Sequence, residues 1–246
     1  MPFTGNIFSL SEIKNQTFDL LKDLNESSIK MNTEHFIPLA QLEEALLQFF
    51  DVSEKIQSEP DVLESEDSDF NNISELGDYG LQLFAGIEQW LNIANIENQS
   101  TLHLCTLSLA AWIHDHSGTL QQLENIVNAL SQAANQTNEP RVLVILHKIA
   151  EKITNSAHDM IKADIDKSES GRPWRILNLN HGIIATRTHN TDIMNSVFEQ
   201  LIQRLPEDAA SFFADGMKQM ELIGYPDHVK HVMEQFYNLT NKPTLH

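Results

Sequence analysis

Residues 171–190 read GRPWRILNLNHGIIATRTHN. Arg172, Arg175 and Arg187 lie in this stretch with His181 and His189, and no Asp or Glu occurs from Ser170 to Thr191. The surrounding chain is acidic, with 35 Asp and Glu against 16 Lys and Arg and a formal net charge of -19. A guanidinium fork holds a carboxylate or phosphate through paired N–H bonds, and an imidazole can move a proton near neutral pH. Placed on a helix, Trp174, Asn178, His181, Gly182, Ala185 and His189 share one side. Ile176, Leu177, Asn180, Ile183, Ile184 and Arg187 fall on the other, mainly aliphatic side.

Three kinds of chemistry fit this pattern. In the first the stripe is structural: Asn178, His181 and His189 bond to neighbouring helices, Gly182 and Ala185 allow close approach, and the arginines pair with carboxylates. In the second it lines a groove in which Arg172, Arg175, Asn178, His181, Arg187 and His189 grip a peptide or another protein. In the third the helix start is an anion site, capped by Ser170 or Gly171, with Arg172 and Arg175 as forks and His181 as acid or base. All three turn the stripe toward the interior or a groove.

No other constellation competes. P-loop, GxGxxG, GxSxG, HExxH, EF-hand and CxxC patterns are absent, as is Glu-x-x-His. Cys105 shares a stripe with Leu102 and Leu109, where a thiol is inert packing. His147, Glu151 and His158 lie opposite the apolar face of their helix and are expected to be wet. His114 and His116 sit at a helix end, where they complement the dipole. His228 and His231 are one turn apart, but two ligands do not make a metal site. No catalytic residue, metal or cofactor is therefore expected.

Net charge disfavours nucleic acid and anionic membrane surfaces as partners. No apolar run is long enough to cross a membrane. One cysteine excludes an intramolecular disulfide, and the start of the sequence does not read as a secretion signal, so a cytoplasmic location is expected. In that setting the six Asn-x-Ser/Thr sequons, at Asn15, Asn25, Asn72, Asn98, Asn135 and Asn238, are products of composition.

The elements that must carry the stripe are helices. Gly and Pro are scarce, nine and eight, and fall between periodic stretches. Helices are expected at 9–25, 38–56, 73–96, 101–113, 119–134, 140–165, 173–190, 191–204, 206–223 and 226–239. The one at 101–113 is apolar on two sides and belongs in the middle. Gly118 is expected as the left-handed stop after it, and Met160 on the buried face of 140–165. Ser58 to Asp69 is strongly acidic and reads as solvated chain. The expected organisation is an N-terminal helical pair (1–57), an acidic flexible linker (58–72) and a main helical domain (73–246). The fold class is all-α: an irregular array of antiparallel helical hairpins, α-solenoid-like or a layered bundle, with no fixed repeat period.

These readings converge on a non-enzymatic cytosolic interaction or scaffold protein with a protein or peptide partner. The alternative is a small-molecule enzyme or sensor that binds an anionic ligand at the Arg/His-rich helix 171–190.

Overall fold

A computed structural model describes residues 5–27, 37–58, 72–96, 99–165, 167 and 169–241. Among them are eleven helices and no strand: α1 (Leu10–Glu26), α2 (Leu39–Ser58), α3 (Ile73–Ala94), α4 (Gln99–Asp115), α5 (Glu124–Asn135), α6 (Pro140–Ser156), α7 (Asp159–Lys162), α8 (Pro173–Arg187), α9 (Thr191–Arg204), α10 (Pro206–Ile223) and α11 (Asp227–Thr240). The fold is all-α, as the patterning predicts. Of the acidic segment 58–72, all but Ser58 and Asn72 lies outside the described residues.

Local chemistry sets the helix ends. Ser9 and Glu12 form a capping box on α1, with the Ser9 N–H donating to Glu12 Oε2 at 2.7 Å. Asn72 accepts from the Glu75 N–H to open α3, and Asn190 accepts from the N–H groups of Asp192 and Ile193 to open α9. Proline occupies the first turn of α6, α8 and α10, where its missing N–H costs no bond.

The apolar faces collect into two cores. The larger draws on α1 to α6 and on Trp174, Leu177 and Ile184 of α8, and ends at Leu205. Leu10, Ile13, Leu20 and Leu24 of α1 and Leu46, Phe49 and Phe50 of α2 belong to it, so the N-terminal pair packs on α3 and α4. α4 sits in the middle, against α1, α3, α5 and α6, and buries every residue from Cys105 to Ile113. The smaller core is built within α9, α10 and α11 around Phe198, Phe213, Met233 and Phe236.

Two local expectations fail for the same reason. Residues 119–123 are not helical, because tertiary acceptors take their amides: Thr119 donates to Ser74 Oγ, Leu120 to the Ser156 carbonyl at 2.7 Å and Gln121 to Asp78 Oδ1. In return the His158 N–H donates to the Leu120 carbonyl at 2.9 Å, and this parallel bridge of Leu120 with Ala157 ends α6 at Ser156. The helix expected over 140–165 thus breaks there, and Met160 is exposed rather than buried. Gly118 is not the left-handed stop either. Ser117 takes that conformation at φ 61°. At Gly118 a Cβ would come within 2.7 Å of both Ile73 and Ile113, so the glycine serves close approach instead.

Candidate functional site

α8 is wedged between α5 and α6 on one flank and α9 on the other. Its inward stripe is buried as the missing carboxylates predict: Trp174, Asn178, His181, Gly182 and Ala185 all lie inside. His189 does not. The helix ends at Arg187, His189 turns left-handed at φ 56°, and its exposed ring meets Tyr225 edge-on at 5.4 Å. Its carbonyl oxygen accepts from His228 Nε2 at 3.1 Å. On the aliphatic side Leu177 and Ile184 are buried, while Ile183 is 47% exposed.

The arginines are all engaged within the chain. Arg172, rather than Ser170 or Gly171, occupies the N-cap position of α8, and no described side chain caps that helix. Arg172 Nε donates to Asp164 Oδ1 at 2.6 Å and its Nη2 to Asp208 Oδ2 at 3.3 Å. The bond to Asp164, ahead of the cost of burial, holds its pKa above the ordinary arginine value. Arg175 Nε donates to Asp208 Oδ1 at 2.7 Å and its Nη1 to the Ser170 carbonyl at 3.0 Å. Asp208, at the start of α10, thus ties down both guanidiniums of the α8 start. Arg187 differs, because its described partners include no carboxylate. It donates to the carbonyls of Ala134 and Thr137 and to Asn138 Oδ1, closing the C-terminal end of α5.

The middle of the stripe holds a buried polar cluster that draws on three helices. His181 Nε2 lies 2.8 Å from Nδ1 of His147 on α6, with the rings stacked at 5.0 Å. One nitrogen donates its N–H and the other accepts, so the accepting ring is a neutral imidazole. Burial, then His147 and Arg204, push the His181 pKa down to about 3. Burial also lowers that of His147, with Glu151 opposing and Lys148 assisting. The expectation of a wet His147 is therefore wrong: α6 buries its apolar face in the larger core and also turns His147 onto α8. Asn178 donates to the Trp174 carbonyl at 2.8 Å and accepts from Arg204 of α9 at 3.3 Å. Arg204 also lies over the Trp174 ring, 5.8 Å from its centroid.

The sequence pattern singles out the α8 members of this network but not Asp164, Asp208, His147 or Arg204. These partners come from other elements, and nothing in their local spacing marks them. The Cys105 thiol is buried, and burial pushes its pKa up to about 12, as its place on an apolar stripe implies. Among the described residues no three His, Cys, Asp or Glu side chains are grouped to hold a metal ion. No described helix is long and apolar enough to cross a membrane.

Beside the engaged polar groups lies an open groove of about 680 Å³ between α8 and α10. Arg175, Leu179, Ile183 and Arg187 form one wall, one helical turn apart, over about 18 Å of helix. Phe212, Gly216, Met220 and Ile223 of α10 form the other, with Tyr225 and Met233 at the far end. The walls meet where Phe212 closes on Gly182: a Cβ there would lie 2.6 Å from the Phe212 ring. In comparisons with known proteins, no family model, no curated protein and no solved structure matches this chain.

Proposed function

We propose that the protein is a non-enzymatic cytoplasmic interaction module that holds a segment of a partner protein in the groove between α8 and α10. The observation that carries this reading is the groove's apolar wall left open to solvent, with Ile183 47% and Ile223 63% exposed on facing helices. A groove whose α8 wall sets Leu179 and Ile183 one turn apart between Arg175 and Arg187 suits an amphipathic helix laid along it. Met220 and Met233 add pliable side chains to its lining. The engagement of Arg172, Arg175 and His181 within the chain weighs for this reading and against acid–base or anion chemistry at those side chains.

The test compares the proteins captured from native lysate by the wild type, Ile183→Asp, Ile223→Asp and, as a surface control, Met160→Asp. Ile183, Ile223 and Met160 are exposed, so each variant is expected to keep the wild-type urea midpoint. A partner lost from both groove variants and kept by the Met160 variant supports docking in the groove. Equal capture by all four refutes it.

A further inference from the structure

The groove between α8 and α10 has three ionic side chains in its lining, Arg175, Arg187 and Asp215. Two of them are answered inside the chain. Arg175 Nε donates to Asp208 Oδ1 at 2.7 Å, and Asp215 pairs with Lys218 at 2.8 Å. Arg187 is held by neutral acceptors instead. Its Nη1 and Nη2 donate to the carbonyls of Ala134 and Thr137 and to Asn138 Oδ1. Among the described residues no carboxylate pairs with it, and no hydrogen bond takes its Nε–H. The wall therefore keeps one positive charge without a counter-ion, in a chain of formal net charge -19. Charges more than about 8 Å away are largely screened at physiological ionic strength, so at this contact the half-buried guanidinium outweighs the distant carboxylates.

The position of that charge is set by α8. Leu179, Ile183 and Arg187 line the groove at four-residue steps, about 6 Å each along the helix. Two apolar contacts thus lead to one cationic contact. Tyr225 reports the charge from the far end of the groove: burial raises the pKa of its phenol, and Arg187 draws it back down. The facing apolar wall, Phe212, Met220 and Ile223, brings no charge of its own.

We propose that the segment held in the groove is acidic: an amphipathic helix with two apolar residues four apart and an Asp or Glu four residues beyond them, whose carboxylate pairs with Arg187. This rests on docking in the groove and adds the partner's charge and spacing to it. A basic segment would set like charge against Arg187, and a wholly apolar one would cover the guanidinium without supplying a counter-ion. A carboxylate supplies that counter-ion through a charge-assisted bond.

The test selects displayed random peptides of about 16 residues, long enough to span the wall, on the full chain. Selected sequences are synthesised, labelled and titrated by fluorescence anisotropy with wild type, Arg187→Gln, Ile183→Asp and Ile223→Asp. They are expected to carry the apolar pair with an acidic residue four positions on. Changing that residue to Gln or Asn is expected to weaken binding to wild type by about fivefold and to leave binding to Arg187→Gln unchanged. If Arg187→Gln does not fold, salt decides instead: at about 0.5 M the advantage of the acidic peptide over its amide variant shrinks, as an ion pair requires. Peptides that need Ile183 and Ile223 but lack the acidic residue, or bind as well once it is an amide, overturn the acidic partner and leave docking standing. Failure to select any peptide, or peptides indifferent to both groove variants, overturns docking and the acidic partner together.

Discussion

The His147–His181 pair makes stability depend on pH in a calculable way. His181 is 2% exposed, and its folded pKa lies at about 3 against an ordinary value of 6.5. Below pH 6.5 the unfolded chain takes up a proton that the folded chain refuses. The contribution of this group is therefore fully present above pH 6.5 and falls as the pH drops, down to about pH 3. At pH 4.5, two pH units below the unfolded value, the loss at about 1.36 kcal/mol per unit comes to roughly 3 kcal/mol. His147 moves in the same direction and adds to the loss. Carboxylates elsewhere titrate over the same range, so the measurement must be differential. His181→Gln keeps an amide able to donate or accept toward His147 but cannot titrate. Urea unfolding followed by tryptophan fluorescence at pH 7 and pH 4.5 gives the stability of each protein. The variant is expected to be the less stable at pH 7, with a deficit that shrinks by about 3 kcal/mol at pH 4.5. If wild type and variant lose stability in parallel, the pair is not held neutral and the account of the α8 stripe is wrong.

Arg187→Ala orphans no described carboxylate, so its cost in urea is expected near 2 kcal/mol, from hydrogen bonds of a charged donor at the α5 end. Asp208→Ala leaves Arg172 and Arg175 short of their shared partner and is expected to cost about 3 kcal/mol, whereas Lys218→Ala, in an exposed pair with Asp215, should leave the urea midpoint unchanged. Gly182→Ala drives a methyl against Phe212 and Leu201 and should lower stability by about 1 to 3 kcal/mol in the same assay. Cys105 is expected to resist a thiol reagent such as DTNB at pH 8 in the native protein and to react fully in urea.

The sequence carried much of this architecture in its punctuation. Asn190, Pro206 and Gly224 mark the limits of α9 and α10, and the observed helices start and stop beside them. The inward turn of Asn178 and His181 was legible from the missing carboxylates, because a helix side without charge in so acidic a chain has no reason to face water. His147 was not legible. Periodicity assigns a helix one apolar face, while α6 is covered by α4 and α5 and again by α8. The break at Ala157 was hidden for a similar reason: the Leu120 carbonyl that captures the His158 amide is 38 residues away, beyond any local signal. The aliphatic character of Ile183 could be read from the chain, but its exposure depends on α10 standing off from α8.

The walls of the groove belong to different bodies. α8 is anchored in the larger core and α10 in the smaller, and several of the bonds joining them are polar: Arg172 and Arg175 to Asp208, Arg204 to Asn178, and His228 to the His189 carbonyl. Phe212 and Leu201 close the joint over Gly182. Apolar side chains cross the seam too, with Leu205 in the larger core and Leu179 against both, so parting it costs some burial, yet the last three helices keep a core of their own and form a unit of partial opening. Amide hydrogen exchange should then proceed in two tiers, with α9, α10 and α11 sharing one protection level below that of α4. A segment seated in the groove would bridge the seam and raise that lower tier as a block, turning occupancy of one surface strip into stiffness across three of the eleven described helices.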